Sequence, residues 1–428
     1  MSARKSVSIT LMFCFFRKCR SLSVASSISA HQFGDVVHVV GVRGDVARFG
    51  CAHRLEEDGQ ARMRQHPVVL CLQDTTELDF NGQDIAGLGP LSYEAQRGMY
   101  VHPTYVVTPE REPLGITDAW MWAREFKGPD GKRAGVRESL RWIEGYERIA
   151  KTALTMPETR LVYVADREAD ILELMQCAHA LGNPADWLVR SQHNRSLPHS
   201  GKLWAEVING EAVGEIEFML PSRHGQAARV VRQQLRARSI HLPDGHGGRL
   251  RVTCLIAKEM APPDGVKAVE WRLLSNRKAE TLDDLVELIE WYRCRWEIET
   301  FFNVLKNGCR VEALQLGSAG KIELALAVYM VVSWRLARLV RLGRTHPDLD
   351  ATALFTDEEW KGAYILAKKP FPKTPPSIGE VIRQVAMLGG FLGRKGDGEP
   401  GVKTLWLGFQ RIRDFVEGVE HIRSINAI

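Results

Sequence analysis

In the run WYRCRWEIETFFNVLKNGCR, Tyr292, Arg295, Glu299 and Lys306 follow the spacing Y-x2-R-x3-E-x6-K. At about 100° per residue on an α-helix, the last three fall about 300°, 340° and 320° round from Tyr292. All four then share an arc of about 60°. One carboxylate flanked by two cations and a phenol on a single stripe suits a metal ion beside a phosphodiester. The same stripe would equally serve as a solvated helix face laced by i,i+4 pairs. The spacing alone leaves both readings open.

Two further acids stand where chemistry is often found. His66-Pro-Val-Val-Leu-Cys-Leu-Gln-Asp74 and Arg160-Leu-Val-Tyr-Val-Ala-Asp166 are short apolar runs, each ending on an acid. Such runs read as buried central strands, and a polar residue just past the C-terminal end of a buried strand is a usual site position in an open α/β sheet. Three carboxylates converging on one point repel each other unless cations lie between them. Oxygen-only ligands favour Mg²⁺ or Mn²⁺ over zinc. Two such ions about 3.5–4 Å apart activate a water and stabilise the leaving oxygen of an in-line phosphoryl displacement. The plainer alternatives are that Asp74 caps a turn through Thr75 and Thr76, and that Asp166 pairs with Arg167 or a nearby lysine.

The elements that would position these groups follow from patterning. Met99 to Val107, Gly115 to Trp122 and Asp186 to Ser191 read as further strands, and Arg137 to Ala153 and Arg167 to His179 as helices. Between Leu203 and Leu274 the texture turns β-rich. Strands are expected over Val213–Met219, Ala228–Leu235, Leu250–Ala257 and Val269–Leu274, punctuated by Pro221, Pro243-Asp-Gly and Pro262-Pro-Asp-Gly. Thr281-x-x-Asp284 is a capping-box variant opening the helix that carries the stripe, and Asn307-Gly308 marks its end. A second apolar helix spans about Ile322 to Leu342. A proline-rich link over 370–376 follows, then a helix capped by Ser377-x-x-Glu380 and stopped at Gly389-Gly390, and a last helix from about Thr404.

The whole is a chain of 428 residues, 45% hydrophobic and 25% charged, with a formal charge of +5. That length suggests two or three domains with a sizeable core. The mild basic excess permits a polyanionic partner without requiring one. The eight cysteines form no Cys-x-x-Cys pair and read as reduced thiols, which speaks against a zinc site and for a cytoplasmic location. Leu324 to Trp334 is too short to span a membrane and sits between Glu323 and Arg335. Val7 to Phe16 imitates a signal-peptide core, but Arg17-Lys18-Cys19-Arg20 spoils that pattern. Gly393 to Gly401 lacks the Gly-Lys-Ser/Thr ending of a phosphate-binding loop.

In order along the chain, LQDTTELDF, VADREADI and Y-x2-R-x3-E-x6-K resemble the bacterial insertion-sequence transposases of the IS-four type, with their DDE triad and YREK signature. The resemblance covers roughly Arg62 to Glu417. It implies an α/β fold: a ribonuclease-H-like catalytic core interrupted by a β-rich insertion, with a helical C-terminal domain. The implied organisation is a first core part over 61–202, the insertion over 203–275, the catalytic helix and end of the core over 276–345, and a helical dimerisation region over 346–428. The implied activity is cut-and-paste DNA transposition, by end nicking, hairpin formation and strand transfer. Asp74, Asp166 and Glu299 would be the catalytic acids and would bind two Mg²⁺ or Mn²⁺ ions. Tyr292, Arg295 and Lys306 would grip phosphates near the terminal nucleotide. Trp271 in VEWRLLS would stack on a base flipped from the hairpin, and Arg190 in LVRSQH would contact DNA. Gln192 stands where a close relative has lysine, and Trp296 is expected to pack. Implied partners are double-stranded DNA, as transposon ends and as target, and a second copy in a synaptic homodimer, with no membrane.

The departure is at the start of the chain. Residues 1–60 do not resemble the helical end-binding domain that the family places before its first acid. They read as an atypical, truncated or frame-shifted segment, with the resemblance resuming near Ala52-His53-Arg54. Two alternatives to the transposase reading follow: a non-catalytic chain that dimerises with a full-length transposase and inhibits it, and a metal-dependent nuclease on the same core.

Overall fold

The computed structural model describes residues 59–135, 137–198, 201–220 and 227–426. The atypical segment expected over 1–60 lies outside them but for its last two residues, as do Cys14, Cys19, Cys51 and the turn at Pro221.

Five strands form the centre: β1 (Val68–Gln73), β4 (Arg97–Val107), β5 (Pro113–Trp122), β6 (Arg160–Ala165) and β7 (Asp186–Arg190). The short β2 (Thr76–Asp79) and β3 (Gly89–Pro90) also pair with β4. The central order is β5-β4-β1-β6-β7, with β4 antiparallel to both β1 and β5, and β1, β6 and β7 parallel. That is the topology of a ribonuclease-H-like core, as expected. Apolar alternation decides the faces. Val69, Cys71, Leu161 and Tyr163 look to one face, where α1 (Leu140–Leu154) and α2 (Leu172–Ala180) cover them with Trp142, Tyr146, Leu174 and Met175. Leu70, Leu72, Val162 and Val164 look to the other. Because side chains alternate with period two, the next even positions after these strands, Asp74 and Asp166, emerge on that second face.

Beyond β7 the sheet continues into the insertion. After the tiny hairpin of β8 (Ser196–Leu197) and β9 (Gly201–Lys202) and the helix α3 (Leu203–Ile208) come β10 (Gly214–Leu220), β11 (Arg229–Pro243), β12 (Arg249–Glu259) and β13 (Glu270–Ser275). They form an antiparallel meander whose last strand pairs with β7, completing an eleven-stranded sheet. The sequence led us to expect a strand only to Leu235; β11 runs on to Pro243, and α3 was not anticipated.

On the second face lie α4 (Leu282–Cys294), α5 (Trp296–Asn303) and the long α6 (Ala319–Thr345). Thr281 and Asp284 close a full capping box at the start of α4. The single stripe-bearing helix of the sequence reading is therefore two helices joined at Arg295, ending in a wider π-type turn over Val304–Gly308. The helix α7 (Asp357–Leu366), unforeseen, is followed by α8 (Ile378–Leu388), whose Ser377–Glu380 capping box forms as expected, and α9 (Val402–Asn426). The chain turns after α8 through Gly390 at φ 98°. These helices share one apolar core with α4 to α6 through Val331, Trp360, Val385 and Leu405. Among the described residues no helix is long and apolar enough to cross a membrane. Cys71, Cys177, Cys254, Cys294 and Cys309 are free thiols.

Candidate functional site

The register of the parallel pair places the first two acids side by side. Leu72 pairs with Val164 and Gln73 with Ala165, so the next step brings Asp74 level with Asp166. Glu299 comes to them on α5, one turn after Arg295. Arg295 is 4% exposed and donates from Nη1 to Asp74 Oδ2 at 2.9 Å and from Nη2 to Glu299 Oε1 at 2.8 Å. Its Nε is buried without a partner among the described residues. Tyr292 donates its hydroxyl to Asp166 Oδ1 at 3.2 Å, and Arg190 Nη1 stands 3.8 Å from the same oxygen. Six of the residues singled out from the sequence thus meet: Asp74, Asp166, Arg190, Tyr292, Arg295 and Glu299.

Electrostatics bear the marks of that crowding. Burial, with smaller pushes from Asp166 and Glu299, raises the Asp74 carboxyl to about 6 against the pull of Arg295 and the Thr75 N–H. Burial and the charge of Asp166 push the Tyr292 phenol up to about 12, so it stays protonated and can donate. Burial works against the Arg295 charge, but Tyr292, Asp166, Asp74 and Glu299 outweigh it and hold the guanidinium firmly protonated.

As the side chains stand, no three His, Cys, Asp or Glu groups among the described residues are gathered tightly enough to hold a metal ion. The Arg295 fork lies between Asp74 and Glu299 and takes that place. The donor set nevertheless fits a hard divalent cation. It is all carboxylate, and burial, with the nearby Asp166 and Glu299, disfavours the charged form of Asp74, a cost that a nearby positive charge would relieve.

The remaining residues lie apart from the acids. Lys306, on the widened turn, stands 3.9 Å from Glu312. Trp271 on β13 stacks on Phe218 of β10 with ring centroids 5.4 Å apart, and the Arg293 guanidinium of α4 lies over Phe218. Gln192 donates its backbone N–H to Asp170, which also receives the His193 N–H and pairs with Arg195. The last acid of the DREAD run, Asp170, is therefore a buried anchor for the loop after β7. Trp296 departs from expectation: it is 45% exposed, with the Arg295 guanidinium 5.3 Å from its ring. A network beneath Asp74, Gln73 with His102 and Thr104, had no visible signal in the sequence; its members sit on two strands and only the register brings them together.

Residues 226–334 match the family model for the transposase DDE domain, and residues 331–428 match that for the Tn5 transposase dimerisation domain. From residue 226 onward the chain thus bears the marks of a DDE transposase. The matched part contains Trp271, Tyr292, Arg295, Glu299 and Lys306, while Asp74 and Asp166 precede it. Among solved structures, the chain is similar to a piggyBac transposase in a synaptic complex with hairpin DNA, at 9% identity and a TM-score of 0.35. That likeness covers 68% of this chain, which spans only 51% of the other.

Proposed function

We propose that the chain is a DNA transposase of the IS-four type, acting by divalent-metal-dependent phosphoryl transfer, with Asp74, Asp166 and Glu299 as its catalytic acids. The observation that carries this reading is the convergence of these three carboxylates from β1, β6 and α5 around one buried arginine. The match of residues 226–334 to the transposase DDE domain supports it. The three acids would hold Mg²⁺ or Mn²⁺, which when bound supplies Lewis-acid activation of the attacking oxygen and stabilises the leaving one. Tyr292 and Arg190 hold Asp166 in place at the same spot. Lys306 would meet the phosphates of the DNA end as a point charge, and Arg295 would join it once metal has taken its place between Asp74 and Glu299. Trp271 offers an aromatic face to an extruded base from the insertion side. The reaction on this reading is end nicking, hairpin formation and transfer of the 3′ end to target DNA. The partners are duplex DNA and a second copy of the chain, the latter supported by the dimerisation-domain match over 331–428.

The test is Glu299→Gln. Its side chain is 41% exposed, so the fold should survive by circular dichroism. Metal-dependent nicking and strand transfer on cognate ends should vanish. Full activity in this variant would remove Glu299 from the catalytic set.

A further inference from the structure

The backbone that presents Asp74 is not held by the sheet. β1 and β2 both pair with β4, in a single unbroken register: Gln73 lies opposite Thr104 and Thr76 opposite Val101. The same register sets Asp74 opposite Pro103 and Thr75 opposite His102. Proline has no N–H to give to a ladder. The strand is interrupted at these two residues, and Asp74 sits on a two-residue link between β1 and β2.

Side chains take the place of the missing ladder. Gln73 Nε2 donates to Thr104 Oγ1 at 2.8 Å, which leaves Gln73 Oε1 as an acceptor. His102 therefore donates to it through Nε2, at 3.2 Å, and its Nδ1 is left to accept. The Thr75 hydroxyl donates to that Nδ1 at 2.8 Å, and the Thr75 N–H donates to Asp74 Oδ1, also at 2.8 Å. Gln73 and His102 are 1% and 2% exposed. The His102 ring is wedged edge-on against Trp142 of α1, with centroids 4.4 Å apart. Gly145 of the same helix leaves room for the Gln73 amide, where a Cβ would overlap it. Thr75 and His102 also line a cavity of about 150 Å³. The Thr75 hydroxyl ties the two-residue link to β4, and without its bond to His102 the Thr75 backbone, whose N–H holds Asp74 Oδ1, has space to shift.

We propose that His102 is a positioning residue for Asp74: braced by Gln73 and Trp142, it pins the Thr75 hydroxyl and so aims the first acid of the triad. This rests on the reading of Asp74 as a metal ligand. His102 touches neither metal nor DNA; it acts through Thr75.

The experiment is Mn²⁺ binding to the full chain, followed by loss of the free-ion electron paramagnetic resonance signal, beside DNA-end nicking. Thr75→Val is close to isosteric and removes only the hydroxyl. His102→Phe keeps a ring but no acceptor, and His102→Asn returns an acceptor near the Nδ1 position. Thr75→Val and His102→Phe should each weaken Mn²⁺ binding about tenfold at nearly unchanged far-UV circular dichroism. The double variant should be no weaker than either single one, because both cut the same link. His102→Asn should recover most of the affinity. Binding in Thr75→Val equal to wild type, with binding abolished by Asp74→Asn, would overturn the pin while leaving the triad standing. Additive losses in the double variant would overturn it too. Binding that survives Asp74→Asn would sink the three-acid reading and take the pin with it.

Discussion

Replacing Asp74 by asparagine should make the metal-free protein more stable at pH 7.5 while abolishing its activity. The carboxyl rises from an ordinary 3.8 to about 6 in the folded chain, first through burial. A raised carboxyl means that the folded state disfavours the charged form. Its cost is fully present above about pH 6 and absent below about pH 3.8, where both folded and unfolded chains hold the proton. About two units at about 1.4 kcal/mol each sets a ceiling near 3 kcal/mol. The Asp74 side chain is 24% exposed, and solvent screening reduces that to about 1–2 kcal/mol. Asparagine keeps an acceptor for Arg295 and carries no charge to desolvate. The assay is a pair of melting curves without metal, where the variant should melt about 1–2 °C higher at pH 7.5. The gap should close as the pH falls from 6 towards 4. Adding Mg²⁺ at about 100 times its dissociation constant should stabilise the wild type by about 2.7 kcal/mol and leave the variant behind. A variant that melts below the wild type at pH 7.5 without metal would refute the reasoning, as would an advantage that persists unchanged at pH 4.

Lys306→Ala should weaken binding to DNA ends and reduce the slope of log K against log salt by about 1, read from gel shifts at several ionic strengths; an unchanged slope would remove Lys306 from the phosphate contacts. Gly145→Ala should lower stability by about 1–3 kcal/mol in denaturant melts, since the new Cβ overlaps the Gln73 amide and outweighs the helix propensity gained. Gly418→Ala on α9, which meets nothing, should instead raise stability by about 0.5–1 kcal/mol.

How much of this was legible in the sequence depends on where the partners lie. Asp74 and Asp166 could be seen because a buried strand advertises itself as an apolar run and its end is a local fact. The capping boxes at Thr281 and Ser377 could be seen because both partners lie within one turn. The length of β11 could not. Beyond Leu235 its polar residues look like a loop until their partners are known: Arg236 donates to the Gly210 carbonyl and Arg238 pairs with Glu206, both on other parts of the chain. The joint at Arg295 was hidden as well, since WEIET is ordinary helical sequence and the backbone at Arg295 keeps right-handed helical angles. The tightening shows in two bonds three residues back, from the Arg295 N–H to the Tyr292 carbonyl and from the Ile298 N–H to the Arg295 carbonyl. His102 was invisible for the same reason as β11: a lone histidine in a strand says nothing until the register sets it opposite Thr75.

The two readings of the stripe can now be weighed on geometry. The bland one asked for a solvated face with i,i+4 pairs, and one such pair exists, between Arg295 and Glu299. Yet a solvated pair of this kind contributes about 0.3–0.5 kcal/mol and needs no burial. Arg295 is almost wholly buried, and its other arm reaches a carboxylate on a strand 221 residues earlier. Tyr292, on the same stripe, donates to a second strand-end acid. Burying a guanidinium is costly unless several acceptors compensate it, and here both acceptors are acids that would repel each other without it. A surface helix has no use for that arrangement. The i,i+4 pair is one half of a bridge that gathers acids from separate elements, and Tyr292 and Arg295 face the sheet rather than the solvent.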